Sequence, residues 1–316
     1  MRKALIFGID DYPTAPLEGC VQDARAVAEA LRLHPADRSP NFDVKLHTCP
    51  PASVDRALLR REIEALFSGR PEMALLYFSG HGVIKSTGGY IVSQAFRRYD
   101  EGVSMDEILV LANQSGAAER MVVIDCCHSG AFGSPALGGD TVAQLSDGLT
   151  VLTSSTEGED SRQAGGQSVF TSLLVEGLGG GAADLRGNVT PASLYAYVDQ
   201  SLGAWSQRPV FKSNVSRFSP LVRSRAPVSV EVLHRLVDYF PAPDAAHALT
   251  PAYEFTSDAA DPGKVAVFRD LQRMHGVGLV VPVGADHMYF AAMEGRECAL
   301  TARGRYYWRL VKEQRI

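Results

Sequence analysis

ALLYFSGHG, residues 74–82, and MVVIDCCHSG, residues 121–130, are the two stretches that decide the fold of this chain. Each begins with a short apolar run of the kind that forms a buried strand. Each run is followed by reactive side chains and a glycine: His81 lies between two glycines in the first stretch, and Cys126 and Cys127 precede Gly130 in the second. A histidine base and a cysteine nucleophile at the ends of two strands indicate the chemistry of a cysteine hydrolase.

Outward from these stretches, the first two thirds of the chain alternate between strand and helix patterns. The predicted strands are 3–9, 42–46, 74–78, 121–124, 149–153 and 210–212, with a hairpin strand at 88–92; the predicted helices are 20–33, 53–67, 104–112, 169–178 and 191–202. Such alternation predicts an α/β fold, a doubly wound and mostly parallel sheet with helices on both faces. Ligand sites in these sheets lie beyond the carboxyl ends of the strands, where both stretches and the segment 10–23 converge.

Composition limits the class of protein. The chain has 316 residues, 46% of them hydrophobic, which is enough for one large and one small domain. It contains no apolar run of 18 residues and begins without a signal-peptide pattern, so we expect a cytoplasmic protein with no membrane span. Its five cysteines do not suggest a disulfide framework, and the adjacent Cys126 and Cys127 lack the spacing of a zinc site. We therefore predict no metal.

The last part of the chain forms a different module. Predicted helices at 228–240, 262–275 and 300–312, with strands at 278–283 and 287–292, suggest a small winged-helix-like domain. The sequence thus predicts a main domain over 1–215, a linker over 216–227 and an accessory domain over 228–316. Arginines of the terminal helix could follow nucleic-acid phosphates. Acidic and basic residues balance in this module, however, so docking to a protein partner is at least as well supported.

The two stretches fit together chemically. A cysteine attacks a carbonyl carbon as its thiolate, and because a free thiol has a pKa of about 8.5 the site must supply a base. His81 lies 46 residues before Cys127 and is the predicted base. The backbone amides of Gly82 and Cys127 are the predicted oxyanion donors, since the tetrahedral intermediate needs preorganised N–H groups.

Taken as a pair, the motifs Ser-Gly-His-Gly and Asp-Cys-Cys-His-Ser-Gly resemble those of the caspase clan, and within it the metacaspases and their bacterial relatives. The resemblance covers roughly residues 3–215. It implies that Cys127, the cysteine directly before His-Ser-Gly, is the nucleophile. Cys126 then points the other way along the strand and is structural. The interval from His81 to Cys127 is also near the caspase spacing.

The resemblance extends to specificity, because metacaspases cleave after Arg or Lys whereas animal caspases cleave after Asp. Asp125 stands where metacaspases place an acidic pocket residue, and Cys20-Val21-Gln22-Asp23 matches their early Cys-x-x-Asp segment. We expect Asp23 and Asp125 to bind the substrate cation, with Cys20 and Ser79 lining the pocket. Asp23 could instead serve as a charge in the first turn of a helix.

The resemblance also bears on cofactors and regulation. Metacaspases often need calcium, but the comparable stretch here, Tyr99-Asp100-Glu101, is poor in carboxylates, so we predict no cofactor. Arg162, Arg223 and Arg225 lie in predicted loop or linker segments and are candidate self-cleavage sites. The resemblance implies a regulated bacterial effector of stress or antiviral responses that acts on protein substrates. The alternative is a catalytically degenerate regulator that binds nucleic acid or protein through its C-terminal module.

Overall fold

A computed structural model describes residues 1–97, 100–126, 145–154, 166–202 and 209–316. It divides into two compact units, Met1–Arg225 and Ala226–Ile316. The strands of the first unit are β1 (Arg2–Ile9), β2 (Asp43–Cys49), β3 (Met73–Ser79), β4 (Gly82–Lys85), β5 (Gly88–Arg97), β6 (Asp100–Ser104), β7 (Glu119–Asp125), β8 (Leu149–Thr153), β9 (Asn188–Val189), β10 (Val210–Asn214) and β11 (Val222–Arg223). Its helices are α1 (Cys20–Arg32), α2 (Arg56–Phe67), α3 (Met105–Gln114), α4 (Val169–Glu176) and α5 (Pro191–Leu202), and a π-helical turn at Gly177–Gly181 follows α4.

The first unit is built on a six-stranded sheet in the order β10-β8-β7-β3-β1-β2. All neighbours pair in parallel except β10, which runs antiparallel to β8. This is the mostly parallel α/β sheet that the sequence predicts.

Alternating side chains of the central strands enter two separate cores. In β3, Leu76 and Phe78 pack with the buried faces of α2 and α3, whereas Leu75 and Tyr77 pack with those of α1, α4 and α5. This follows from the two-residue period of a strand. Burial on both faces explains why these strands are continuous apolar runs in the sequence.

A small antiparallel sheet, β4-β5-β6, begins one residue after His81. The sequence predicts only a single hairpin strand here. The neighbouring helix α3 is capped by Ser104, whose hydroxyl accepts a hydrogen bond from the amide of Asp106. Glu107, in the first turn of α3, forms an ion pair with Arg60 of α2.

The segment 216–227, predicted as a linker, contributes to the packed first unit. β11 pairs with β9, and Leu221 and Val222 are 1% and 0% exposed. The linker prediction is wrong for these residues because their side chains join the core that covers one face of the main sheet.

The second unit contains α6 (Val230–His234), α7 (Leu236–Tyr239), β12 (Ala246–Ala248), α8 (Pro262–Gly276), β13 (Val280–Val283), α9 (Met288–Met293), β14 (Glu297–Leu300) and α10 (Ala302–Lys312), with a 3₁₀ turn at Pro251–Tyr253. Its three strands pair antiparallel in the order β12-β14-β13. The prediction of a strand at 287–292 is wrong, because Met288–Met293 form the helix α9. His287 caps this helix by accepting a hydrogen bond from the amide of Tyr289. The winged-helix interpretation stays a prediction.

Across the ranges that the structure describes, none of the helices is both long enough and apolar enough to span a bilayer.

Gly8 permits the close packing of α1 on β1. A Cβ atom at this position would lie 2.4 Å from the carbonyl oxygen of Cys20 and 2.6 Å from the Cβ of Ala24. Gly8→Ala should therefore lower the free energy of unfolding by about 1–3 kcal/mol, the usual cost of overpacking a core. Chemical denaturation measures the change.

Gly179→Ala is the matched control, because an added Cβ there would meet no atom within 4 Å. Equal stability of the two variants would contradict the packing argument.

Candidate active site

The register of three neighbouring strands brings the two sequence motifs side by side. Gly8 of β1 pairs with Ser79 of β3, and Ser79 pairs with Asp125 of β7. His81 follows Ser79 by two residues. Cys127, which follows Asp125 by two residues, lies outside the described residues. The adjacent strands β3 and β7 therefore end at the same edge of the sheet, and His81 follows the end of β3.

The backbone and ring of His81 are held at several points. Its N–H donates a hydrogen bond to the Tyr12 hydroxyl at 3.0 Å, and its carbonyl oxygen accepts one from the Val92 amide at 2.9 Å. Its Nε2 lies 2.7 Å from the carbonyl oxygen of Ala15. The ring of Tyr12 lies against the imidazole with centroids 4.6 Å apart.

These contacts assign the tautomer of His81. A carbonyl oxygen can only accept a hydrogen bond, so Nε2 must carry the proton that it shares with Ala15. In the neutral ring the lone pair then lies on Nδ1. Nδ1 has no hydrogen-bonding partner within the described ranges, so the imidazole can act as a base through this atom.

A buried polar network lies beside His81 at the ends of β3 and β7. Asp23, in the first turn of α1, is 1% exposed and accepts hydrogen bonds from the Ser79 hydroxyl at 3.2 Å and the Ser168 amide at 3.1 Å. Asp125 accepts from the hydroxyls of Ser168 at 2.5 Å and Thr171 at 2.7 Å. Ser168 thus joins the two carboxylates.

Tyr77 completes the network from within the core. Its hydroxyl lies 2.6 Å from that of Thr171, and because Thr171 donates its proton to Asp125, Tyr77 must donate to Thr171. Burial raises the pKa of Tyr77 well above its ordinary value, and the nearby carboxylates of Asp125 and Asp23 raise this pKa further. The phenol therefore remains a neutral donor.

Asp10, rather than Asp23, caps the start of α1. The carboxylate of Asp10 accepts hydrogen bonds from the amides of Cys20 at 2.8 Å and Val21 at 3.2 Å. The residue at the N-cap position itself is Gly19, which has no side chain to offer. Asp23 lies in the first turn of α1, so its alternative role as a charge at the helix start stays a prediction beside the pocket role.

Three of the predicted site residues lie at the start of α1 and around the end of β3. Cys20 is buried as the first residue of α1, and Ser79 binds Asp23. Gly82 is the first residue of β4 and pairs with Ile91 of β5. Its role as an oxyanion donor, like every role of Cys127, stays a prediction because residues 127–144 lie outside the described part.

Sequence reasoning missed four residues of the site: Asp10, Tyr12, Ser168 and Thr171. Only Ser168 carried a recognisable signal, because a serine directly before an apolar helical segment is a typical N-cap. Its hydroxyl does accept a hydrogen bond from the Thr171 amide, at 3.0 Å. Tyr12 and Asp10 act across loops that no local pattern predicts.

Two of the three candidate self-cleavage sites are described. The Arg223 amide donates to Nδ1 of His34 at 3.0 Å, and its carbonyl accepts from the Ala36 amide at 2.9 Å, so its backbone is bound in β11. Arg225 is exposed and is the last residue of the first unit. Arg162 lies outside the described residues.

A metal site is not evident in the part of the chain that the structure describes, where no cluster of three or more His, Cys, Asp or Glu side chains could hold an ion. The two carboxylates of the stretch compared with calcium sites form ion pairs, Asp100 with Arg56 at 3.1 Å and Glu101 with Lys85 at 3.6 Å.

Comparisons with known proteins agree with this geometry. Residues 1–218 match the caspase-domain family of cysteine peptidases, Peptidase_C14, and the chain belongs to that family. Among solved structures, caspase-1 from Spodoptera frugiperda is similar at 14% identity and a TM-score of 0.51, over 71% of this chain and 90% of that one. At this identity the likeness concerns the fold alone. The protein GSU0716 from Geobacter sulfurreducens matches at 17% identity and a TM-score of 0.49, over 71% and 97% of the two chains. Among curated proteins, none matches significantly.

The hydroxyl of Thr171 should contribute measurably to stability. Thr171→Val keeps the shape of the side chain but leaves Tyr77 without its acceptor and takes a donor from Asp125. Because one partner is charged and the site is buried, we expect the free energy of unfolding to fall by about 1–3 kcal/mol. Chemical denaturation measures it.

Thr150→Val is the matched control. Thr150 is also buried on the same unit, but its hydroxyl bonds a neutral partner, Ser213, at 2.9 Å. This variant should lose only about 0.5–1.5 kcal/mol. A loss at Thr171 no larger than that at Thr150 would show that the network adds nothing.

Proposed function

We propose that this caspase-family chain is a cysteine endopeptidase that cleaves proteins after Arg or Lys, with Cys127 as nucleophile and His81 as base. The observation that carries the proposal is the acidic network in which Ser168 joins Asp23 and Asp125. This network lies at the strand ends from which both catalytic motifs emerge.

In the proposed reaction, Nδ1 of His81 accepts the proton of the Cys127 thiol, and the thiolate attacks the carbonyl carbon of the scissile bond. The amides of Gly82 and Cys127 stabilise the resulting oxyanion. Collapse of the intermediate expels the amine, which takes the proton back from His81 and leaves a thioester on Cys127. Water, deprotonated by His81, then hydrolyses the thioester and restores the free thiol.

Specificity follows from charge. Two carboxylates of the pocket would bind a guanidinium or ammonium through charge-assisted hydrogen bonds, and they would repel the side chain of a substrate aspartate. The Ser79 hydroxyl already points to Asp23, and the buried Cys20 lies on the same turn of α1. These two residues are proposed to line the pocket.

The wider role is proposed from the family resemblance. The enzyme would be a regulated cytoplasmic effector of bacterial stress or antiviral responses, acting on protein substrates without a cofactor or calcium. The C-terminal unit would bind a protein partner or nucleic acid and restrain or target the peptidase.

A panel of fluorogenic peptides tests the reaction and its specificity. Peptides ending in Arg or Lys should be hydrolysed, and Cys127→Ala should abolish hydrolysis. His81→Ala should lower kcat by about 10²–10⁴-fold, the usual contribution of a general base.

Cys126→Ala is the matched control, because it removes the neighbouring buried thiol and should leave turnover unchanged. Preference for peptides ending in Asp would overturn the pocket assignment. Salt-sensitive nucleic-acid binding without hydrolysis of any peptide would instead support the degenerate regulator.

Self-processing, if it accompanies activity, should occur after Arg225 rather than Arg223. A peptidase needs an extended segment that can leave its own fold, and the Arg223 backbone is hydrogen-bonded on β11 whereas Arg225 follows the strand. Mass spectrometry of the active protein should detect a new C-terminus at Arg225. Arg225→Gln should remove this product and Arg223→Gln should not, and a product ending at Arg223 would contradict the assignment.

A further inference from the structure

Tyr12 lies in the loop between β1 and α1, a loop that reaches His81 from two sides. Its side chain is 4% exposed, and the same loop supplies the Ala15 carbonyl that binds Nε2 of His81. The loop is fixed at Asp10, whose backbone oxygen accepts hydrogen bonds from the amides of Tyr12 and Leu17. The position of Ala15 therefore depends on a segment that Tyr12 anchors.

The hydroxyl of Tyr12 joins two other segments. It accepts a hydrogen bond from the His81 N–H at 3.0 Å and donates one to the Val92 carbonyl at 3.1 Å. Val92 in turn donates its own N–H to the His81 carbonyl. One phenol thus connects the turn that carries His81 to β5, and burial raises the pKa of Tyr12, which keeps this group a neutral donor.

Gly80, in the motif Ser-Gly-His-Gly, leaves room for the Tyr12 hydroxyl. A Cβ at Gly80 would lie 2.6 Å from the Tyr12 hydroxyl oxygen and 2.9 Å from Cζ of Phe78, and both distances are closer than such atoms can approach. The φ angle of Gly80 is not in the left-handed region, so the backbone itself does not demand glycine here. The glycine before the histidine therefore serves the approach of Tyr12.

We propose that Tyr12 is a positioning residue for His81. It fixes the backbone of His81 through its hydroxyl, the plane of the imidazole through ring contact, and the Nε2 partner through the loop that holds Ala15. Nδ1 is thereby directed towards the reacting thiol, a role that rests on the proposed peptidase function. Because a misplacement of about 1 Å can cost about 10²-fold in rate, such a clamp has a kinetic consequence.

Tyr12→Phe tests the hydroxyl and keeps the ring. With an Arg-terminated peptide, we expect kcat to fall about tenfold or more while KM stays within twofold, because Tyr12 contacts His81 and not the acidic network. Thermal unfolding identifies any general loss of fold.

Tyr90→Phe is the matched control, since it removes a phenol of the same small sheet that binds only Thr87 within the described residues. Its kcat should be unchanged. An unchanged kcat in Tyr12→Phe, or an equal loss in both variants, would overturn the proposal.

A measurement on the imidazole keeps this test independent of turnover. In ¹⁵N NMR of the full chain, with His81→Ala for assignment, the wild type should show the Nε2–H tautomer of His81 and Tyr12→Phe should show a mixture of tautomers. A pure Nε2–H tautomer of His81 in both proteins would overturn the proposed positioning role of Tyr12. If the tautomer changes as expected but no peptide is hydrolysed by the wild type, the peptidase proposal fails and the positioning of His81 by Tyr12 stands.

Gly80→Ala tests the contact between Gly80 and the Tyr12 hydroxyl by changing the glycine. Its methyl group would displace the Tyr12 hydroxyl, so kcat should fall as it does in Tyr12→Phe. In the double variant the hydroxyl is absent and this part of the clash disappears, so the two losses should be less than additive. Fully additive losses would show that Gly80 and Tyr12 act separately and would contradict the proposed reason for the glycine.

Discussion

The arrangement of the site depends on the register of three parallel strands, which end side by side at one edge of the sheet. Gly8, Ser79 and Asp125 are opposite one another in β1, β3 and β7. Side chains that follow these positions must leave the sheet at one edge, because parallel strands share a direction. A shift of one residue in β3 would exchange its two buried faces and direct Tyr77 away from Thr171. Burial of both faces therefore fixes the register, and the register fixes the site.

Strand ends also leave polar groups inside the protein, and the loops satisfy them. The carboxylate of Asp10 accepts hydrogen bonds from the first amides of α1, and the Tyr12 hydroxyl accepts one from the amide of His81. Ser168 caps α4 and also donates hydrogen bonds to both carboxylates of the network. Unpaired groups at such depth would each cost about 1–3 kcal/mol. The hydrogen bonds that stabilise the edge of the sheet are thus the same ones that orient the acidic network and the histidine.

Much of this architecture can be predicted from the sequence, and the failures have physical reasons. The central strands are apolar on both faces and stand out as continuous runs, so β3 and β7 were predicted within one or two residues. β4 and β6 are short and partly exposed, which leaves no periodic signal. The segment 287–292 is predicted as a strand but contributes to α9. A short apolar run does not distinguish a strand from a helix, and here the N-cap at His287 favours the helix. Asp23 and Asp125 could be placed by motif, whereas Tyr12 and Ser168 reach the site through tertiary contacts alone.

Each motif contains a polar residue of the network and, two residues later, a residue with a proposed catalytic role. Ser79 binds Asp23 and His81 follows it; Asp125 binds Ser168 and Cys127 follows it. In the proposed peptidase, the pocket and catalytic residues thus belong to the same two segments of the sequence. α1 contributes Asp23 to the acidic network, and the loop before α1 brings Ala15 and Tyr12 into contact with His81. The acidic network and His81 are therefore both supported by the segment 10–23, in which the carboxylate of Asp10 binds the first turn of α1.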